Sequence, residues 1–252
     1  VKLQNAEGQQ FCGWVRVGHR PVENTLSVTV SESLLPVLPE VLARIKNLFD
    51  LYCEPEAVYE TLQVMNTLQP GLCVLGTRLP GCFNVFEMSV RAVLGQQITV
   101  KAASTLAARL VAAYGTQVQT GIGGLTHSFP APAAILALGE NISGHLGKLG
   151  IISARANTIY QLARVLADEK NDFGFCGNPE EEMQKLQSIR GIGSWTAQYI
   201  AMRAMGWPDA FLPTDAGIKK ALPDHTPKEL QALSEAWRPW RSYATVNLWN
   251  TL

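Results

Sequence analysis

Residues 186–205 read LQSIRGIGSWTAQYIAMRAM, and this stretch decides how the C-terminal part of the chain folds. A hydrophobic helical pattern ends at Gly191-Ile192-Gly193, and a second helical pattern begins directly after it. Glycine adopts positive φ and tolerates close backbone contact, and a tight turn between two helices needs both. The first backbone N–H groups of the second helix are free to bind an anion such as phosphate. The stretch therefore predicts a helix-hairpin-helix whose turn either only joins packed helices or also binds phosphate.

The second helix of this hairpin carries apolar side chains on two faces. On one face, apolar residues recur at intervals of three and four positions and are expected to contact the core: Ala197, Ile200, Ala201 and Ala204. Trp195, Tyr199 and Met202 lie on a different face of the same helix. A core helix seldom carries two large apolar faces unless both are covered. The face with Trp195 and Tyr199 is therefore predicted either to pack beneath another layer or to line a cleft.

The composition indicates a globular chain with a sizeable core, since 47% of its 252 residues are hydrophobic and 17% are charged. The 21 basic residues balance the 21 acidic ones, so non-specific coating of nucleic acid is not expected. The chain contains no apolar run of about 18 residues, and the sequence therefore predicts no membrane span. The five cysteines lack C-x-x-C spacing and are predicted to be reduced and mostly buried: Cys12, Cys53, Cys73, Cys82 and Cys176.

The N-terminal part of the chain combines a β pattern with a helical one. Alternating apolar and polar residues between positions 12 and 31 predict two strands joined by the turn residues GHRPVEN. Two strands alone do not form a stable sheet, so partner strands are expected either before residue 1 or from later segments. A helix with Pro39 in its first turn follows. Its predicted buried face contains Leu42, Ile45, Phe49 and Tyr52.

The Gly- and Pro-rich residues 69–82 indicate a domain boundary or a loop that faces a substrate. We predict an N-terminal α+β domain over residues 1–75 and an all-helical region over residues 76–252. Within the helical region, Gly95 interrupts a long helical pattern and predicts two helices joined at GQQI. Residues 115–130 are predicted to form a loop. The predicted fold class is α+β, mostly α.

Three separated motifs carry a resemblance to a known family. PGCFNVFEMSVRAVLGQQITVKAAS (residues 80–104) precedes LQSIRGIGSWTAQY (186–199), which precedes FLPTDAGIKK (211–220). In this order they resemble the helix-hairpin-helix-Gly/Pro-Asp DNA glycosylases, and among these the bacterial inducible 3-methyladenine DNA glycosylases. The resemblance implies an N-terminal mixed β/α domain with an antiparallel sheet, then a helical region of two lobes with a cleft between them. It also implies that the opening strands lie upstream of Val1, and it admits fusion behind an alkylation-response regulator module.

Asp215 lies in the motif LPTDAG, at the position of the family's catalytic aspartate. A carboxylate beside the sugar stabilises the positive charge that develops when an N-glycosidic bond breaks, and it can orient the attacking water. The local sequence also predicts that Asp215 caps the helix AGIKKAL, and one residue can do both. The resemblance places Trp195, Tyr199 and Trp249 in an aromatic pocket that binds a cationic base.

The position that carries a Schiff-base lysine in lyase-type relatives is occupied here by Trp195. The sequence therefore predicts a monofunctional enzyme that leaves an abasic site. The neighbouring Lys219 and Lys220 are explained by a solvated helix face. Trp237 and Trp240 are expected in the core and not in the pocket.

The resemblance also implies how the hairpin and the GQQI break contact DNA. Backbone N–H groups at or near four residues are expected to hold phosphate: Gly191, Gly193, Ser194 and Thr196. Three carbonyls are expected to hold a structural Na⁺ or K⁺ ion, with no cofactor for catalysis: Gln187, Ile189 and Ile192. Three arginines are candidate phosphate contacts, although each is also explained as a solvated charge: Arg190, Arg203 and Arg241. Gln97 or Ile98 is expected to enter the duplex where a flipped base leaves.

These features predict a monofunctional DNA glycosylase that flips and excises alkylated, cationic purines such as 3-methyladenine from double-stranded DNA. The expected protein is a monomer in the bacterial cytoplasm, without contact to a membrane. One alternative is a non-catalytic helix-hairpin-helix module that binds DNA within a larger alkylation-response regulator. Another is a glycosylase for oxidised or mismatched bases. The absence of a lysine at 195, and of a cysteine after Cys176 to hold an Fe–S cluster, weighs against it.

Overall fold

The computed structural model describes residues 1–5, 7–167 and 178–252. Short strands lie mainly near the beginning of the chain, and helices form most of the rest, as the predicted fold class requires. The strands are β1 (Lys2–Gln4), β2 (Gln10–Cys12), β3 (Val15–Arg20), β4 (Thr25–Val30), β5 (Thr116–Gln117) and β6 (His127–Ser128). The α-helices are α1 (Leu38–Leu48), α2 (Pro55–Leu62), α3 (Val85–Leu94), α4 (Val100–Tyr114), α5 (Pro132–Leu136), α6 (Ile142–Gly147), α7 (Ser153–Leu166), α8 (Pro179–Ser188), α9 (Ser194–Ala204), α10 (Ala216–Ala221), α11 (Pro227–Leu233) and α12 (Arg241–Trp249).

The strands pair as antiparallel hairpins. β3 pairs with β4, with Val17 opposite Val28, which confirms the two strands predicted between residues 12 and 31. Their turn ends at Asn24, which lies in the left-handed region at φ 51°. β1 pairs with β2, a second hairpin that the sequence analysis did not predict because its strands are only three residues long. β5 and β6 form a third short pair inside the predicted loop 115–130.

Helix α1 packs against the strands through a face other than the predicted one. Val41 and Ile45 are buried together with Leu3, Leu34 and Val37. Of the predicted face, only Ile45 is buried, whereas Leu42, Phe49 and Tyr52 are 38%, 37% and 67% exposed. The physical reason is that Val41 and Ile45 continue the buried row that Leu34 and Val37 begin in the preceding 3-10 turn (Glu32–Val37). Pro39 lies in the first turn of α1, as predicted.

The helical part of the chain has two hydrophobic clusters, which we call the first and second lobes. The first lobe is built mainly from α3 to α8, with the core face of α9. The second lobe is built from α2, the segment 58–79 and the chain from residue 210 onward. Helix α9 belongs to both, because its alanine face is buried in the first lobe and Met202 in the second. The domain boundary at residues 75/76 remains a prediction.

Arg241 is part of the second lobe and not of a DNA surface. Its side chain is only 8% exposed and forms a bidentate ion pair with Asp209, at 2.7 Å from Nε to Oδ1 and 2.9 Å from Nη2 to Oδ2. A buried guanidinium needs such a partner, and the pair ties α12 to the loop before Asp215. The prediction of Arg241 as a phosphate contact or surface charge is therefore wrong. Trp237 is 2% exposed, and Trp240 packs against the same core, as predicted.

Within the described residues, no helix combines the length and hydropathy that a membrane crossing requires. The four described cysteines hold reduced thiols. Only Cys73 is buried, because Cys12, Cys53 and Cys82 lie at the partly exposed edges of their clusters, so the prediction of mostly buried thiols is wrong. Cys176 lies outside the described residues.

Candidate active site

A cavity of about 1310 Å³ lies between the two lobes. The insertion loop, which we define as residues 95–99, forms one side of it together with the start of α7. The aspartate wall, which we define as Trp195, Tyr199, Asp215 and Trp249, contributes to the opposite side. The two-lobed region with a cleft, expected from the sequence, is therefore present. The cleft brings together residues that are far apart in the chain.

Asp215 is the N-cap of α10 and also faces the cavity. Its Oδ1 accepts hydrogen bonds from the backbone N–H groups of Gly217 at 2.8 Å and Ile218 at 3.2 Å. The indole Nε1 of Trp249 donates to the same oxygen at 2.8 Å, and Nε1 of Trp195 donates to Oδ2 at 3.0 Å. Both interpretations of this residue, a helix cap and a carboxylate of the site, fit the geometry. Four N–H donors fix its orientation, and hydrogen bonds to an ionised group are about twice as strong as neutral ones.

Aromatic rings surround this carboxylate. Trp195 and Tyr199 are one turn apart on α9 and stack with ring centroids 5.2 Å apart and an interplanar angle of 8°. Trp249, at the end of α12, lies 6.3 Å from Tyr199 at 51°. Each indole therefore offers a ring to the cavity while its N–H holds Asp215. The sequence analysis identified these rings but did not predict their hydrogen bonds, which connect residues 20 and 34 positions apart.

Gly217 makes this arrangement sterically possible, and the sequence analysis did not single it out. A Cβ at this position would lie 2.7 Å from Cδ1 of Trp249 and 3.0 Å from Oδ1 of Asp215. Atoms do not approach that closely without displacement. The missing side chain therefore lets Trp249 lie over the first turn of α10.

The hairpin turn uses its two glycines differently. Gly191 has φ +97°, and a Cβ there would lie 2.1 Å from Thr158 Oγ1, so only glycine fits. Gly193 has φ −87°, and no described atom lies within 4 Å of a Cβ built on it. The positive φ of the turn is therefore at Gly191, whereas Gly193 is the N-cap residue of α9 and has an extended conformation.

The start of α9 has backbone N–H groups that no described residue pairs with. Gly193 has no side chain to cap the helix, and the first intrahelical bond in this turn runs from Ala197 N to Gly193 O. No described residue accepts a hydrogen bond from the N–H groups of Ser194, Trp195 and Thr196. Thr196 is only 3% exposed, and its hydroxyl accepts a hydrogen bond from the side chain of Gln96.

The three carbonyls predicted to hold a monovalent cation lie around the same turn. The carbonyl of Ile189 accepts a hydrogen bond from Ile192 N at 3.0 Å, which leaves its second lone pair. Among the bonds between described residues, none ends on the carbonyl of Gln187 or of Ile192. Neutral carbonyl oxygens are hard donors of the kind that bind Na⁺ and K⁺, so the donor set fits the ion.

Gln97 and Ile98 differ in exposure. Gln97 lies at the tip of the insertion loop, is exposed and has φ +55°, whereas Ile98 is half-buried. Gly95 ends α3 and Thr99 caps α4, which confirms the predicted break in the helical pattern. The loop also contains Gln96, whose side chain contacts the hairpin and which the sequence analysis did not single out.

None of the remaining candidate cations lines the cavity between the lobes. Arg190 is exposed on the hairpin. Arg203 is half-buried at the far end of α9 and lines a separate cavity of about 220 Å³, so the structure does not bring it to the hairpin turn. The reason is that Arg203 lies more than two turns beyond Trp195 along α9. Lys219 and Lys220 are exposed on α10, as expected for a solvated helix face.

Comparison with known proteins identifies the family. Residues 90–239 match the family described as HhH-GPD superfamily base excision DNA repair protein, and residues 2–84 match the AlkA N-terminal domain. DNA-3-methyladenine glycosylase 2 of Escherichia coli is 37% identical over 90% of this chain and 77% of its own length. A probable bifunctional transcriptional activator/DNA repair enzyme AlkA of Mycobacterium tuberculosis is 42% identical over 83% of this chain, but this match spans only 42% of that protein.

Solved structures show the same fold. A 3-methyladenine DNA glycosylase from Archaeoglobus fulgidus superimposes with a TM-score of 0.73 at 22% identity, over 98% of this chain and 88% of its own. Two family matches, one for the helical region and one for the N-terminal domain, indicate the same family as the relative from E. coli. The chain belongs to the HhH-GPD superfamily of base excision DNA repair proteins.

Proposed function

We propose that this protein is a monofunctional DNA glycosylase that excises alkylated, cationic purines such as 3-methyladenine from double-stranded DNA in base excision repair. The observation that carries the proposal is the Asp215 carboxylate, held between the indoles of Trp195 and Trp249 inside a cleft. The names of the relatives from E. coli and A. fulgidus support the same substrate class.

The aromatic rings account for the choice of base. Alkylation at N3 or N7 gives a purine a positive charge, and a cation over an aromatic face gains roughly 0.5–2 kcal/mol per contact. An undamaged purine is neutral and lacks this gain. The positive charge also makes the base a better leaving group, so the pocket has little need to protonate it.

Asp215 acts on the sugar. As the bond from C1′ to the purine nitrogen breaks, its electron pair moves to the base and neutralises it, and positive charge develops on C1′ and the ring oxygen. The fixed carboxylate stabilises this charge. A water molecule then forms the new bond to C1′ and loses its proton to Asp215 or to solvent, which leaves an abasic site.

The protein should not cleave the DNA strand. A lyase requires an amine that attacks C1′, and the described residues that line the cavity include no lysine. Trapping with borohydride is therefore expected to give no covalent adduct with DNA, and a trapped adduct would contradict this part of the proposal.

The hairpin and the insertion loop bind the DNA. The backbone N–H groups from Gly191 to Thr196, including those of Gly193 and Ser194, hold a phosphate at the start of α9. A structural Na⁺ or K⁺ ion at the carbonyls of Gln187, Ile189 and Ile192 would add positive charge beside that phosphate. Because Gln97 is the exposed tip and Ile98 is half-buried, we assign the insertion into the duplex to Gln97.

The setting in the cell follows from the same proposal. The protein acts on double-stranded DNA as a monomer in the bacterial cytoplasm. The name of the relative from M. tuberculosis combines a transcriptional activator with a DNA repair enzyme. A similar fusion upstream of this chain is therefore part of the proposal.

Asp215→Asn tests the proposal directly. The variant should lose release of 3-methyladenine from methylated DNA and retain its affinity for a duplex with an abasic-site analogue, because the amide keeps the shape but not the charge. Asp224→Asn, an exposed aspartate that follows α10, is the matched control and should behave as wild type. Unchanged turnover of Asp215→Asn would remove the assignment. DNA binding by wild type without base release would favour the alternative, a non-catalytic binding module.

A further inference from the structure

Gln96 joins the insertion loop to the hairpin across 95 residues of sequence. Its side-chain Nε2 donates to the carbonyl of Gly191 and to Oγ1 of Thr196, each at 2.9 Å. Gly191 lies in the hairpin turn, and Thr196 lies in the first turn of α9. One side chain of the insertion loop therefore contacts both parts of the motif that binds phosphate.

The partners fix the orientation of this amide. A carbonyl can accept but not donate, so the NH₂ group and not Oε1 of Gln96 must face Gly191. The two hydrogens of the NH₂ group match the two acceptors. Gly191 cannot move toward α7, because its backbone already packs closely against Thr158.

Helix α7 holds the same junction from the other side. Nη2 of Arg155 donates to the backbone carbonyl of Gln96, and Thr158 Oγ1 donates to the carbonyl of Arg190 at 2.9 Å. Arg155 and Thr158 are three residues apart and lie on one face of the helix. A single helix therefore supports the insertion loop and the hairpin turn, and Gln96 connects the two directly.

We infer that Gln96 is a positioning residue that makes the insertion loop and the hairpin one rigid body. The inference rests on the proposed function, because it concerns how that enzyme flips a base. When the hairpin binds phosphate, the position of Gly191 on the DNA backbone is fixed, and Gln96 then fixes where Gln97 enters the duplex. Gln97 has a positive φ that residues other than glycine rarely adopt, so the loop needs such support to hold its tip outward.

The effect of Gln96 depends on whether the damaged base is paired. A lesion in a duplex must leave its stack, and the insertion loop fills the gap that remains. A lesion in a single strand has no such gap. Gln96 donates no hydrogen bond to Asp215 or to the indoles, so it should affect flipping and leave the chemical step unchanged.

The first experiment uses Gln96→Met, which keeps the length of the side chain and removes both hydrogen bonds. Single-turnover excision of one N7-methylguanine is measured in a duplex and in the same oligonucleotide as a single strand. We expect the variant to be about 10- to 30-fold slower on the duplex, as two lost hydrogen bonds imply, and within about twofold of wild type on the single strand. Gln184→Met, the same change at an exposed position on α8, is the control and should match wild type on both.

A second measurement does not depend on excision. The fluorescent base 2-aminopurine, placed beside the lesion, becomes brighter when the lesion unstacks. Its fluorescence is measured with the Asp215→Asn variant and with the Asp215→Asn/Gln96→Met double variant. We expect Gln96→Met to remove most of the increase in fluorescence. Thr196→Val, which removes one of the two acceptors, should give a smaller loss, and adding it to Gln96→Met should cause no further loss.

The outcomes distinguish a failure of the inference about Gln96 from a failure of the proposed function. Equal slowing of Gln96→Met on duplex and single strand, or no change on either, overturns the inference and leaves the proposed function intact. If wild type releases no alkylated base but Gln96→Met still suppresses brightening, the proposed function fails and the coupling stands. If the protein with an intact Gln96 releases the base but causes no brightening, the coupling fails and the proposed function stands.

Discussion

The aspartate wall and the insertion loop face each other across one cavity, but they are held in different ways. Asp215 accepts four N–H hydrogen bonds, two from its own helix and two from indoles on α9 and α12. The insertion loop is supported mainly at Gln96, and its tip at Gln97 is exposed with a positive φ. Asp215, to which we assign the action on the sugar, is therefore fixed by several elements at once. Gln97, to which we assign the insertion into DNA, extends outward from a narrow support.

Among changes at the aspartate wall, Gly217→Ala should reduce the excision rate most. The new Cβ would collide with Trp249 and displace its ring, so both the hydrogen bond to Asp215 and one side of the pocket are lost. We expect the single-turnover rate to fall about 100-fold or more, since a hydrogen bond to a charged group alone is worth roughly 1.5–3 kcal/mol. Gly147→Ala, where no described atom approaches within 4 Å, is the control. Wild-type rates for Gly217→Ala would show that the Trp249 contact is dispensable.

Replacing either indole by phenylalanine separates the ring from its N–H group. Trp195→Phe and Trp249→Phe each keep an aromatic face and remove one donor to Asp215. We expect each to slow excision roughly 10- to 100-fold in duplex and in single-stranded DNA alike. Trp240→Phe, outside the cavity, should have no such effect. If 3-benzothienylalanine at position 195 or 249, which has the same shape but no N–H, works as well as tryptophan, stacking alone explains these residues.

Variants of the insertion loop should slow excision from duplex DNA only, whereas the indole variants should slow it on duplex and single-stranded DNA alike. Gln97→Gly removes the exposed tip and relieves its positive φ, so the fold is retained. We expect excision to slow about three- to tenfold on duplex lesions, with no change on single-stranded DNA. Ile98→Ala should have a smaller effect on the duplex. A larger loss for Ile98→Ala would transfer the insertion to Ile98.

The smallest effect is expected at Gly193. Gly193→Ala has an ordinary φ and open space, so the free energy of unfolding should stay within about 0.5 kcal/mol of wild type. Gly191→Ala, by contrast, meets both a positive φ and a collision with Thr158, and should lose about 2 kcal/mol or more. Thermal and denaturant unfolding measure both. Equal destabilisation by the two variants would mean that the turn is held differently from the structure described above.

The sequence predicted the features that depend on near neighbours in the chain. The hairpin at 186–205, the two faces of α9 and the helix break at Gly95 follow from periodicity and from glycine, and the cap at Asp215 follows from its position before a helix. The resemblance to the family supplied the identity of the aromatic residues. These predictions succeed because helix periodicity and capping act over one or two turns.

Other predictions failed where packing from a distant segment decides the outcome. The buried face of α1 depends on which side the strands cover, and Arg241 is buried because the loop carrying Asp209 lies beside α12. Neither contact is visible in local periodicity.

Local patterns in the chain are therefore sufficient to predict a helix-hairpin-helix, an aspartate that caps a helix and an aromatic face on α9. They do not predict that two indole N–H groups, from residues 20 and 34 positions away, point at that aspartate. The same holds for Gln96, which reaches a carbonyl 95 residues further along the chain. The reason is that a hydrogen bond requires its atoms to lie about 3 Å apart with a defined angle, and only the packing of whole helices sets such distances.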